Sequence, residues 1–186
     1  MKKTIAVLLI SCLCFAMASC GASTLTGEPA VFTNLDKSFS IELPAEDAGD
    51  GDKASWTVNE ETEGDVLDMT YHDKTVRVVV QGLSKAKASQ VAGDFESYKK
   101  YAVENTFAEI LEGADMKDAP VEVPDFVSSS SAGTYTAKKG EGIIVFMESD
   151  RAYYTYLVSA ADGGYSANKK VLGESILSLK ELSESE

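Results

Sequence analysis

The chain has 186 residues, the length of one domain on the usual scale of roughly 100–200 residues. Its 44% hydrophobic and 25% charged content is ordinary for a globular protein and excludes a wholly disordered, collagen-like or low-complexity chain. Thirty acidic against 17 basic side chains give a net charge of −13, which argues against nucleic acid as a partner, because phosphates must be met by clustered cations.

Residues 1–19 read as an export signal. Lys2 and Lys3 supply a cationic start, and Ile5 to Met17 form an apolar stretch of secretory length. The stretch is shorter than the roughly 20 residues a membrane span needs. Met17-Ala18-Ser19-Cys20-Gly21 then resembles the lipobox of bacterial lipoproteins. The resemblance implies lipid attachment at Cys20, which becomes the mature N-terminus. Leu9-Ile10-Ser11-Cys12 fits the lipobox letters slightly better, but it would leave an apolar region of only seven residues, Ile5 to Ser11. Length therefore favours Cys20, with an ordinary signal peptide cut nearby as the plainer alternative.

Cleavage before Cys20 leaves 167 residues and removes two lysines, so the mature charge is −15. Cys12 and Cys14 depart with the signal. The mature domain then has neither a free thiol nor a disulfide, which excludes thiol redox chemistry and cysteine metal sites. A chain of this size can bury an adequate core without bridges.

Residues 20–30 are small and polar, interrupted by Gly27 and Pro29, and read as a lipid-anchored linker reaching roughly 35 Å when extended. The folded domain is expected over 31–182, with a frayed tail at 183–186. Val31 to Leu35 and Phe39-Ser40-Ile41-Glu42-Leu43 read as a strand hairpin turning at Asp36-Lys37-Ser38 and ending at Pro44. Trp56 to Val58 is a short strand. Leu67, Met69 and Tyr71 alternate with polar residues, His72-Asp73-Lys74 turns, and Val76, Val78 and Val80 return as an antiparallel partner. A helix follows over Asp94 to Glu112, with Asp94 as N-cap and Gly113 as stop. Its stripe is mixed: Phe95, Tyr98 and Ala102 share one face, while Val103, Phe107, Ile110 and Leu111 share a rotated one.

Three strands come next, Gly133 to Lys138, Gly142 to Glu148 and Ala152 to Ala160, the last pair turned by Ser149-Asp150-Arg151. Ile143 to Met147 is apolar without alternation, as in a central strand covered on both faces. Asp162-Gly163-Gly164 breaks the sheet. A closing helix over Ala167 to Leu182, capped by Ser166, aligns Val171, Leu172, Ser175, Ile176, Leu179 and Leu182, and leaves Lys169, Lys170 and Glu174 outward.

This order resembles the Mog1/PsbP-like group. The residues that carry the likeness are the Phe39-Ser40-Ile41-Glu42-Leu43-Pro44 hairpin with Trp56 beyond it, Phe95-Glu96-Ser97-Tyr98-Lys99 in the mid-chain helix, and Arg151-Ala152-Tyr153-Tyr154-Thr155-Tyr156 leading to Ile176-Leu177-Ser178-Leu179-Lys180. The resemblance covers nearly all of the mature chain through packing patterns. It implies an α+β fold, a central antiparallel sheet layered with helices. It implies no shared active site, and the photosystem role of plant members is not carried over.

Candidate chemistry is sparse. Asp50, Asp52 and Glu61 fall at positions 1, 3 and 12 of an EF-hand count, but Ala54 and Ser55 stand where a ligand and the turn glycine are needed. With Glu46 and Asp47 they read as a solvated acidic loop, and Glu60, Glu61, Glu63 and Asp65 as a solvated turn. His72, the one histidine, lacks a nucleophile elbow such as G-x-S-x-G and reads as an exposed turn residue. Gly140-Glu141-Gly142 lacks the remainder of a dinucleotide fingerprint. Tyr154 and Tyr156 point to one side of their strand and Tyr153 to the other, which suits a middle strand under helices. Ser128 to Ser131 read as a flexible loop approached by Pro120 and Pro124.

The expectation is thus a lipid-anchored protein on the extracytoplasmic face of the cell membrane, with no catalytic residues, metal or cofactor. Its partners would be the membrane, through the anchor, and another envelope protein. Rival readings are an envelope hydrolase using carboxylates such as Glu46, Asp50 or Glu61, and a purely structural envelope lipoprotein.

Overall fold

Alternation in β1 (Glu28–Thr33) and β2 (Phe39–Ala45) sends Phe32, Phe39, Ile41 and Leu43 to one face, and each is at most 4% exposed. The structure, a computed structural model, describes residues 24–46, 55–59, 62–72, 75–161 and 163–182. The two strands pair antiparallel with Phe32 opposite Ile41, and β10 (Lys180–Glu181) joins the other edge of β2.

A larger sheet is built from β3 (Trp56–Val58), β4 (Val66–Tyr71), β5 (Val76–Ser84), β6 (Asp115–Asp118), β7 (Ser129–Ala137), β8 (Gly140–Glu148) and β9 (Ala152–Ala160). Its order is β3-β4-β5-β9-β8-β7-β6, antiparallel throughout. Both faces are covered, which explains the unbroken apolar run in β8. Ile143, Val145 and Met147 meet the small sheet and helix α3 (Gly164–Leu177), while Ile144 and Phe146 meet the opposite helical layer. The tyrosines divide as their spacing requires, Tyr154 and Tyr156 to the first side and Tyr153 to the second. The Tyr156 hydroxyl, fully buried, lies 2.8 Å from Ser175 Oγ and donates to the Leu172 carbonyl at 3.1 Å. The result is the expected single α+β domain.

The second layer comprises α1 (Lys85–Ala88), α2 (Phe95–Tyr101) and a π turn over Ala102–Thr106. Asp94 caps α2 as expected, accepting from the Ser97 amide at 2.7 Å. The single helix expected to Glu112 is replaced by this α–π pair. The Phe107 amide donates to the Ala102 carbonyl five residues back, at 2.8 Å. That wider turn brings Tyr98, Ala102, Phe107 and Leu111 onto one buried face, uniting the two stripes that looked rotated. The helical segment ends at Thr106, so Gly113, expected as the helix stop, sits at φ +70° in the turns that follow instead of at a helix C-terminus.

Other boundaries move for tertiary reasons. The folded unit starts before Val31: Glu28–Ala30 are strand, and Leu25 is 4% exposed with its amide donating to Asn168 Oδ1 at 2.7 Å. Gly27, at φ +111°, turns the chain against β2, where a Cβ would meet the Ala45 carbonyl at 2.3 Å. Residues 25–30 therefore belong to the domain rather than to the linker. Helix α3 begins at Gly164, with Gly163 as N-cap, so Ser166 sits in its first turn. It ends at Leu177 because Lys180 and Glu181 leave it to pair with β2. Ser129–Ser131 are strand, held by pairing with Glu148, Met147 and Phe146, so tertiary pairing overrides a loop composition. Among the described residues no helix is long and apolar enough to cross a membrane.

Candidate functional site

Cys20, the expected lipid attachment, lies outside the described residues, as do Asp47, Asp50, Asp52, Glu60 and Glu61. Glu46 is exposed after β2 and accepts from the Thr26 hydroxyl at 2.8 Å. Trp56 is strand, as expected, and its indole donates to the Pro44 carbonyl at 2.8 Å, tying the two sheets together. Among the described residues no three His, Cys, Asp or Glu side chains gather in a metal-binding group. His72 is exposed at the end of β4, its ring 4.3 Å from that of Tyr71. Gly140 and Gly142 serve the β7–β8–β9 packing: a Cβ on Gly142 would lie 1.8 Å from the Val158 carbonyl oxygen.

Asp65 departs from the solvated-turn reading. It is 5% exposed and stands across the β4–β5 ladder from Gly82, whose amide donates to the Asp65 carbonyl at 2.9 Å. The missing side chain of Gly82 opens a cleft of about 320 Å³, which Asp36, Asp65, Lys87, Arg151 and Tyr154 line. Burial raises the Asp65 pKa, partly offset by the Lys87 ammonium, and Oδ1 of Asp65 has no hydrogen-bond partner. Lys87 Nζ stands 3.7 Å from Asp36 and 3.8 Å from Asp65, between the two carboxylates. Asp68, the other buried carboxylate of this sheet, is held at 2.8 Å by both Nε and a terminal nitrogen of Arg77. Burial opposes its charge, but the hydrogen bonds from Arg77 and Asn59 outweigh burial and lower its pKa.

The larger recess lies on the other side of the small sheet's helix. It is an open groove of about 640 Å³ between α3 and the 119–128 connection from β6 to β7. Ile143, Ile176 and Val121 give it an apolar lining, and Tyr165 and Leu177 extend it. Val121, Val123 and Phe126 anchor the connection by packing on the core. Gly173 sits in the middle of α3 with nothing within 4 Å of where a Cβ would lie. A mid-helix glycine costs about 0.5–1 kcal/mol relative to alanine, so the helix bears a local weakness beside the groove. Lys169, Lys170, Glu122 and Glu174 are exposed around it. Neither recess was foreseen. The traces they leave in sequence are a glycine inside an amphipathic helix and a Val-Glu-Val run between two prolines.

No family model matches the sequence, and no curated protein matches it. By structure the chain is similar to cyanobacterial PsbP (CyanoP) from Synechocystis sp. PCC 6803, in a solution structure, with a TM-score of 0.54 and 10% identity over 90% of this chain and 99% of that one. At that identity the likeness speaks to architecture alone: the fold is PsbP-like.

Proposed function

We propose that the protein is a lipoprotein, anchored through Cys20 on the extracytoplasmic face of a membrane, whose domain is a non-catalytic binding module for another envelope protein. The observation that carries this reading is the apolar groove of about 640 Å³ beside α3, a surface that a partner would cover. Favouring binding over hydrolysis, the carboxylates of the Asp36–Asp65 cleft are already engaged by Lys87. Because Leu25 is already part of the core, only four residues separate Cys20 from it, a leash of roughly 15 Å. A leash that short raises the effective concentration toward membrane-bound partners, so weak contacts suffice. The mature charge of −15 disfavours contact with anionic lipid and holds the domain off the bilayer surface.

Metabolic labelling with a fatty acid and mass analysis of the N-terminal peptide test the anchor. Label should vanish in Cys20→Ala, and an N-terminus at Cys12 would refute the assignment. In-cell crosslinking tests the module: the lipidated form should capture an envelope protein that Cys20→Ala captures poorly. Turnover of a cell-wall or glycan substrate, lost in Asp65→Asn, would replace binding by hydrolysis.

A further inference from the structure

The folded part of the chain begins close to Cys20, and it begins at one end of the domain. Leu25 is 4% exposed and its amide donates to Asn168 Oδ1 at 2.7 Å, early in α3. The Thr26 hydroxyl donates to Glu46 Oε1 at 2.8 Å, and Gly27 packs against the carbonyl of Ala45, the last residue of β2. Three separate contacts thus fasten residues 25–27 at the Ala45 end of the small sheet. The opposite end is the β1–β2 hairpin. There Asn34 Oδ1 accepts from the Ser38 and Phe39 amides, both at 3.0 Å, and Leu35 stands 75% exposed. The seven residues of β2 hold the two ends about 20 Å apart, at roughly 3.3 Å per residue.

Only residues 21–24 lie between Cys20 and Leu25, and fully extended they reach roughly 15 Å. That is less than the span of the domain along β2. The leash is therefore too short for the hairpin end to turn down onto the bilayer while Leu25 stays docked, whatever charges that end carries. The acidic surplus opposes the other arrangement, a domain lying flat on anionic lipid.

We infer that the anchor presents the domain end-on: the end bearing Leu25, Glu46 and Asn168 faces the lipid headgroups, and the hairpin tip at Leu35 faces away from the membrane. This rests on the lipid-anchor reading above. The cleft lined by Asp36, Ser38 and Lys87 then lies at the membrane-distal end, whereas the groove, lined from Tyr165 to Leu177, runs along the flank between the two ends.

The test uses the lipidated protein, purified from the membranes of producing cells and reconstituted in vesicles of phosphatidylcholine and phosphatidylglycerol that contain an acceptor-labelled lipid. In the mature chain Cys20 carries the lipid and no other cysteine remains, so a donor dye can be placed on one introduced thiol. Lys169→Cys puts it beside Asn168 and Leu35→Cys at the hairpin tip, both exposed positions. Energy transfer from position 169 should exceed transfer from position 35 several-fold. Equal transfer, or stronger transfer from position 35, overturns the end-on arrangement while leaving the anchor standing. Lengthening the leash by about 20 Gly/Ser residues between Ala22 and Ser23, a coil of roughly 25 Å, should bring the two values together. A difference that survives the insertion shows that something other than the leash orients the domain, and refutes the inference. Protein that does not float with the vesicles has no anchor, and both readings then fall.

Discussion

Gly82 and Asp65 face each other across the β4–β5 ladder, joined by the Gly82 amide donating to the Asp65 carbonyl at 2.9 Å. The pairing seats a carboxylate over a residue with no side chain, and it does so where the two sheets meet. A Cβ on Gly82 would lie 2.7 Å from the Phe39 ring and 2.8 Å from the Tyr154 ring, which pack edge to face at 6.0 Å. Gly82→Ala should therefore destabilise by about 1–3 kcal/mol, as overpacking does. In Gly82→Ala/Phe39→Leu the smaller side chain yields space, so the double variant should lose less than the two single losses combined. Denaturant melts of the four proteins measure this, and a Gly82→Ala variant as stable as wild type would show that the rings move freely.

Asp65 itself should respond to pH. Burial raises its folded pKa above the unfolded value, so ionisation opposes folding. The protonated form is fully favoured below the unfolded pKa of about 4, and the penalty grows as pH rises through the folded value. Asp65→Asn removes the ionisation. Its stability relative to wild type should increase from about pH 4 toward neutrality, and the two should respond to pH alike at lower values. Lys87 loses little in the exchange, being 58% exposed and 3.8 Å away. A stability difference that does not change with pH would contradict the buried-charge account.

Asp68 is the opposite case. Its folded pKa lies below the unfolded value, so its stabilisation is present above about pH 4 and is lost as pH falls through the folded value. Arg77→Ala strands a carboxylate that is 7% exposed. Breaking a buried pair costs about 3–5 kcal/mol, and with Arg77 itself 45% exposed the expected loss at neutral pH is about 2–3 kcal/mol. Arg77→Lys should recover only part of it, since an ammonium cannot reproduce the two-pronged contact. Chemical denaturation at pH 7 and near pH 3 tests both claims: the loss should shrink in acid, where Asp68 no longer needs a partner.

Thermal melts with and without EDTA, and with and without reductant, should superimpose. The three cysteines are Cys12, Cys14 and Cys20, all preceding the described fold, and the described residues hold no metal-binding group. A fall of several degrees on chelation would restore the acidic stretch from Glu46 to Glu61 as an ion site, because a bound ion stabilises the native state by linkage.

Local chemistry was enough to read the strands, since period-two alternation in Phe39–Leu43 and Leu67–Tyr71 states which apolar side chains face the core, though not that Ser40 and Asp68 on the other parity are buried too. The same holds for the two-faced β8 and β9, where apolar residues on both parities require cover on both sides. It also holds for Asp94, whose capping role depends on a few neighbouring backbone groups.

What the chain alone could not state were the features that depend on a distant partner. Residues 25–30 look like a tether until Asn168, on α3, accepts the Leu25 amide. Ser129–Ser131 look like a loop until β8 pairs with them, and Lys180–Glu181 look helical until β2 offers an edge. Asp65 belongs to an acidic run that ordinarily solvates a turn, and only its register opposite Gly82 buries it. The groove is the extreme case, because its two walls lie some 50 residues apart in sequence, at Val121 and Gly173. Periodicity records which face of an element is covered. A recess between elements is set by their relative packing, which tertiary contacts decide.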